Sequence, residues 1–296
     1  MQSLILPTFK IEISCALILL KYCYNDLLVS TLLFNAAFGF YVVGLFHSVA
    51  AFVSKKDLFY RIAFASVGIG FFLHSSFLLY RGIEMARLPL TDLKEALAFF
   101  AWTVSLCFFI SHLRYRIKPL GLFLLPLVTA LMLGTIFIKS SPVPEILSSS
   151  WIYWHTICLL LAYGMFFVTF IASVLYLFQE RELKAKKPKT FYYWLPSLVL
   201  LDDLFYKFLI SGFSFMTLGL LAGIIWAEQD WVQGWQGDPK VIAAMVTWGI
   251  YLLLIYLRLT AGWRGKRAAV ISMAGFLSVL FTFFGARYLG GLHTFP

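Results

Sequence analysis

Charge is scarce in this chain. Only 13% of its 296 residues are Asp, Glu, Lys or Arg, against 61% that are hydrophobic. A soluble domain needs a more heavily charged surface, so that class is excluded. Acidic residues are almost absent from the apolar runs, which argues against a proton-coupled transporter. Cysteine is also rare: Cys15, Cys23, Cys107 and Cys158, with no C-x-x-C pair. A thiol relay or a zinc site needs closer pairs. These residues read as small buried apolar groups, and only Cys15 and Cys23 stand close enough in sequence to pair. There is no G-x-S-x-G, no H-E-x-x-H and no phosphate-cradling glycine loop, so no hydrolase, zincin or nucleotide motif is present. Net charge is +10. The basic residues lie between the apolar runs and read as topology signals, with no nucleic-acid partner implied.

What the chain has is a series of apolar runs, each of about 20 residues, the length of a helical membrane span. The ~10-residue alternating segments of an outer-membrane barrel are missing. The expected fold is all-α: a polytopic membrane protein with about eight transmembrane helices and a tryptophan-rich external loop. Spans are predicted at 32–53, 60–80, 93–113, 120–138, 151–178, 204–225, 241–259 and 268–289. The first 29 residues stand apart. Their apolar run is too short to cross and is flanked by Lys10, Glu12 and Lys21, so an interfacial segment is expected there, with no signal-peptide cleavage site. Residues 30–296 form one eight-helix domain. The aromatic stretch 192–201 is expected to lie along the membrane surface, with Asp202 and Asp203 ahead of the sixth span.

Basic clusters follow spans one, three, five and seven: Lys55-Lys56; Arg114, Arg116 and Lys118; Arg181, Lys184, Lys186, Lys187 and Lys189; Arg264, Lys266 and Arg267. The positive-inside rule makes those loops cytoplasmic. The loop around Pro89, the loop before Trp151, the tryptophan loop and the C-terminal tail then share the outer face.

The tryptophan loop runs from Trp226 to Lys240 and holds Trp226, Trp231 and Trp235 before a Gly237-Asp238-Pro239 turn. A plain connection uses small polar residues. Indoles there read either as a platform for a flat apolar ligand or as an aromatic belt at the headgroups. Two histidines flank the loop on the same face: His155, about one turn into the fifth span, and His293, in the Gly-flanked tail. Two imidazoles and several indoles on one face could hold a haem, the nitrogens binding iron axially. The plainer reading is that each histidine hydrogen-bonds a helix end. His74, in the second span, reads first as a packed residue bonded to a neighbouring helix. Arg81, Arg87 and Arg287 are candidates for pairing with haem propionates, or simply snorkel, as Arg258 does by the same reading. His47 and His112 are given no function.

Taken together, these stretches resemble the cytochrome c assembly family, the CcsA/ResC group with its HemX-like and CcmC relatives. The family's tryptophan-rich "WWD" signature runs roughly W-A-x-x-x-W-G-x-Y-W-x-W-D-P-K-E. Trp226, Ala227, Trp231, Trp235, Asp238, Pro239 and Lys240 match it. The stretch from Arg87 to Ala96, the Trp151…His155 and Ala162-Tyr163-Gly164 pair, Thr247-Trp248, Gly262-Trp263-Arg264-Gly265 and Gly291-Leu292-His293 match in order. The resemblance implies a multi-pass protein of the bacterial cytoplasmic membrane, with the WWD-like loop and the C-terminus on the outer face. It implies that haem b is held against the loop, with His155 and His293 as axial ligands and Trp226, Trp231, Trp235 and Asp238 forming the site. It also implies a role in a cytochrome c haem synthase, with a ResB/CcsB-like membrane partner and apocytochrome c C-x-x-C-H thiols as acceptors. A HemX-like regulator that binds haem without ligase activity is the alternative. Three positions depart from the family pattern. Gly237 stands where the signature has its last Trp, and Val241 where it has Glu. Arg258 follows Tyr256-Leu257 where synthase members carry a histidine thought to bind a second haem within the membrane.

Overall fold

The computed structural model describes residues 5–138, 149–185, 195–230 and 234–285, with side chains described from residue 28 onward apart from residue 230. Among them are eight α-helices: α1 (Ile5–Ser54), α2 (Asp57–Met85), α3 (Leu93–Tyr115), α4 (Leu120–Phe137), α5 (Ser150–Lys184), α6 (Leu198–Asp230), α7 (Pro239–Thr260) and α8 (Lys266–Leu280). Each contains a segment long and apolar enough to cross a membrane, in α8 together with the turn that continues it to Gly285. The all-α, multi-pass class expected from the apolar runs is what is found, and each expected span begins on its own helix, the last four residues of the eighth lying outside the described residues.

The helix ends follow local chemistry. Asp92 caps α3, its Oδ1 accepting from the Glu95 N–H at 2.7 Å, and Asp238 caps α7, where Pro239 opens the first turn with its fixed φ. Two differences from the sequence reading stand out. Residues 5–27 are helical and run without a break into the first span, so no helix end marks a boundary near residue 29. Asp202 and Asp203 do not precede the sixth helix; they lie in its first turns.

Helices in lipid have no hydrophobic drive to associate, so close packing at small residues and hydrogen bonds between helices must do it. Both are present. On α6, Gly212, Gly219 and Gly223 form a stripe against α5. A Cβ at Gly212 would stand 2.9 Å from Phe166 and one at Gly219 2.9 Å from Leu159, so any larger residue would force α5 away. Between helices, Trp102 Nε1 donates to Ser75 Oγ at 2.8 Å, joining α3 to α2. The Thr247 and Ser278 hydroxyls meet at 2.6 Å between α7 and α8. Tyr115 Oη donates to Asp203 at 3.0 Å, joining α3 to α6. Helices α5 to α8 close a ring, α5 on α6, α6 on α7, α7 on α8 and α8 on α5, with α3 laid against α5, and α1, α2 and α4 further out. The last turn of α8 widens into a π-helical turn at Phe281–Gly285. Such turns re-aim side chains and recur at functional sites.

Candidate functional site

At the end of the ring where α5 and α7 begin, the helices part around a cavity of about 390 Å³, in the range of small-molecule sites. Its walls are mostly apolar. The connection before α3 supplies Leu90 to Asp92, α5 supplies His155 and Tyr163, and the π turn supplies Thr282 and Phe283. His155 and Tyr163 are eight residues apart on α5, so the cavity reaches about 12 Å along that helix, into the apolar length of the bundle.

Three of the six candidate residues line this cavity: His155, Trp226 and Trp235. Trp226 does not sit in a loop. Ala227, Glu228 and Gln229 are good helix formers, and α6 continues to Asp230. Trp226 therefore projects from the last turns of α6 and is only 2% exposed. An aromatic belt faces lipid and headgroups, so that reading fails for Trp226. It suits Trp151 and Trp154 at the start of α5, which are 38% and 59% exposed. Trp235 is half-buried and opens a one-turn helix, Trp235–Gly237. That turn is entered through Gly234 at φ +89°, a left-handed conformation natural to glycine, and is closed by Asp238 N–H donating to Trp235 O at 3.1 Å. Asp238 does not line the cavity. It is buried, and its Oδ1 accepts from the Lys240 N–H at 2.8 Å, which joins the Trp235 turn to the start of α7. Trp231 and His293 lie outside the described residues, as does Arg287.

His155 carries the most specific geometry. Its Nδ1 lies 2.8 Å from the carbonyl of Gly219 on α6. A carbonyl only accepts, so Nδ1 holds the proton and donates it. In the neutral ring the lone pair is then on Nε2. The ring packs so closely on α6 that a Cβ at Gly223 would overlap Nδ1 and stand 2.7 Å from Cε1. A histidine with one ring N–H committed to a backbone carbonyl has the orientation and tautomer typical of a metal ligand. The sequence reading missed the glycines. The signal was there, Gly219-x-x-x-Gly223 on one helix, but nothing local says that α5 is what it faces.

The arginines behave differently from expectation. Arg87 does not face a ligand. Its guanidinium grips Glu95 with two bonds of 2.9 and 2.8 Å, and the Thr91 N–H and hydroxyl donate to the same carboxylate. The Glu95 contact raises the Arg87 pKa, while burial raises the Asp92 carboxyl above the usual carboxylate range. This network braces the connection that forms one cavity wall. Arg81 pairs with Glu84 at 2.9 Å. Arg258 does not snorkel. It is buried and holds Asp202 with bonds of 3.0 and 2.6 Å, its guanidinium over the Tyr206 ring at 4.5 Å. The position is filled by an ion pair tying α7 to α6 at the end away from the cavity, and arginine stays protonated, so this residue is no iron ligand. His74 is fully buried, with Nδ1 3.4 Å from Tyr41 Oη and no hydrogen-bond partner at Nε2 among the described residues. It packs with α1, whereas Arg258 packs with α6, so the two do not share a site. Among the described residues, the cation that lines the cavity is Lys240.

The cavity walls bring together three of the segments that resemble the family, around residues 90–96, 152–163 and 226–240, and whole-chain comparison agrees. The family model described as cytochrome C assembly protein matches residues 90–293. The chain belongs to this family of membrane proteins. Among individual relatives, it is similar to the cytochrome c biogenesis protein CcsA of Prochlorococcus marinus (strain MIT 9215), with 29% identity over 285 residues, 86% of this chain and 91% of that one. It is likewise similar to CcsA of Chlamydomonas reinhardtii, 29% identical over 239 residues, 77% of this chain and 67% of that one. CcsA of Mesostigma viride is 27% identical over 305 residues, 92% and 98% of the two chains. The protein is thus a multi-pass member of the CcsA-type cytochrome c biogenesis group, and these relatives lend no support to the HemX-like alternative.

Proposed function

We propose that the cavity holds haem at one face of the membrane and presents it for covalent attachment to apocytochrome c. The observation that carries this is the His155 Nδ1–H bond to Gly219 O, in an apolar cavity walled by Trp226, Trp235 and Phe283. That bond leaves the Nε2 lone pair as an axial ligand for iron, and the indoles offer flat faces for the macrocycle. By the family resemblance, His293 would supply the second iron ligand and Trp231 would add to the aromatic platform. Lys240, rather than Arg81 or Arg87, is the cation within the cavity for a propionate.

In the attachment step, a cysteine S–H of C-x-x-C-H adds across a haem vinyl group. Sulfur bonds one vinyl carbon, hydrogen the other, and nothing is oxidised or reduced. This chain's own contribution is proximity: it fixes the vinyl edge beside the docked thiols and keeps water from the apolar faces. A ResB/CcsB-like membrane protein completes the synthase. The basic clusters after α1, α3, α5 and α7 support a reading in which the cavity faces the outer side of a bacterial cytoplasmic membrane.

The test is the haem content of protein purified in detergent together with its partner, and the cytochrome c yield in a strain lacking the native gene. His155→Ala is expected to lower both without lowering the amount of protein in the membrane. Unchanged haem content and yield would remove the ligand assignment.

A further inference from the structure

The cavity has a side as well as an end. Of the four seams in the α5–α8 ring, the one between α6 and α7 has the least contact. Its ties lie away from the cavity end: Asp202 with Arg258, the Phe213 ring stacked on Trp248 at 5.6 Å, and Trp248 Nε1 donating to Thr217 Oγ1 at 3.0 Å. Beyond Thr217 the two helices are parted by the cavity, with Leu220 and Ile224 of α6 on one side and Val241 and Met245 of α7 on the other.

Each helix also carries an outward apolar stripe beside these residues. Leu218, Leu221 and Ile225 are exposed on α6, and Ile242 and Val246 on α7. At ~100° per residue, Ile224 stands about 60° around α6 from Leu221, and Met245 about 60° around α7 from Ile242. Ile224 and Met245 are therefore the two edges where the outward surface turns into the cavity wall. Met245 is 39% exposed although it lines the cavity. One turn further along α7, Gly249 has no atom of the described residues within 4 Å of where a Cβ would stand, so among the described residues no side chain covers that position. Both edges lie on helices long and apolar enough to cross a membrane, and the surface beside them is aliphatic.

We propose that the slit between Ile224 and Met245 is a lateral portal through which a planar, amphipathic tetrapyrrole passes between the bilayer and the cavity. The proposal rests on the haem-binding reading above. A flat macrocycle dissolved in a leaflet meets only aliphatic side chains at the slit, while its carboxylates stay toward the polar end, where Lys240 lines the cavity. Methionine suits such an edge because it is unbranched and rotates about three bonds, so it can swing aside without repacking a helix. The Trp248–Thr217 hydrogen bond fixes the lower limit of the slit, and the Trp235 turn lies above it.

The experiment follows transfer of hemin from phosphatidylcholine–phosphatidylglycerol vesicles into the full-length protein in nanodiscs of the same lipids, read from the Soret band with time. The double variant I224W/M245W fills both edges. Leu218→Trp, on the outward stripe away from the slit, is the control. The double variant is expected to take up hemin about tenfold more slowly or worse when its rate is normalised to its own end-point band, with the control unchanged. Wild-type uptake speed with a wild-type end point overturns the portal and leaves haem binding intact. No band in the wild type overturns haem binding, and the portal with it. Should the double variant lose its end-point band, the milder Met245→Phe decides: slower uptake to a full end point supports the portal, and an unchanged rate overturns it.

Discussion

His155 on α5 donates its Nδ1–H to the carbonyl of Gly219 on α6 across 2.8 Å, and Gly223 one turn later leaves room for its ring. The helix pair with the most extensive contact among the described residues thus also sets the tautomer and tilt of the candidate iron ligand.

Gly223→Ala is expected to displace that ring. The added methyl would stand 2.7 Å from Cε1, and overpacking of this kind costs about 1–3 kcal/mol. Haem content should fall several-fold while the protein still reaches the membrane. Gly249→Ala, where a Cβ meets nothing within 4 Å, is the matched control and should behave as wild type. Equal haem content in the two variants would show that the Gly223 contact does not govern the site.

The Asp202–Arg258 pair should matter for stability and not for the cavity. Arg258→Ala leaves a carboxylate in a mostly buried position without its partner, a loss of about 3–5 kcal/mol for buried pairs. D202N/R258M removes both charges together and is expected to recover most of it. Thermal unfolding in detergent separates these outcomes. A double variant no more stable than R258A would contradict the pairing.

Asp238→Ala removes the cap of α7, with an expected loss of about 0.5–2 kcal/mol. Because the lost carboxylate is what fixes the Lys240 N–H at the start of α7, directly after the Trp235 turn, haem content should drop as well. Asp238→Ser can still accept from the Lys240 N–H and should retain most of both. Matching melting temperatures for the alanine and serine variants would rule out the capping role.

Trp226→Ala is expected to cut haem content more than Trp226→Phe, because phenylalanine keeps a flat ring on the cavity wall. If Trp226→Ala retains full occupancy, the buried indole is packing alone. The comparison is made from the Soret absorbance per mole of protein.

The helices were legible because a membrane span is a length as much as a pattern. An apolar run of about 20 residues must be helical in hydrocarbon, so each predicted span begins on a helix even though helix ends extend past it, as at Lys184 on α5. The candidate site was legible where one residue type carries the chemistry, as with His155 and the tryptophans. What stayed hidden is what depends on which helix lies beside which. Asp202 and Arg258 are 56 positions apart and each reads alone as a surface charge. Gly219 gives no local sign that its carbonyl receives an imidazole 64 positions away. Arg87 read as a free cation because its partner, Glu95, lies across the turn that Asp92 caps. The loop boundary at Trp226 was misjudged because tryptophan draws attention from Ala227-Glu228-Gln229, which simply extend α6.

The central claim is that His155 ligates haem iron through Nε2, and its most direct measurement is the absorption spectrum of the purified protein with its partner. The wild type is expected to show a low-spin Soret and visible spectrum. His155→Ala should lose it, and added imidazole should restore it, because a free ring can occupy the vacated iron position. Wild-type and His155→Ala spectra that coincide, with no response to imidazole, would contradict the account.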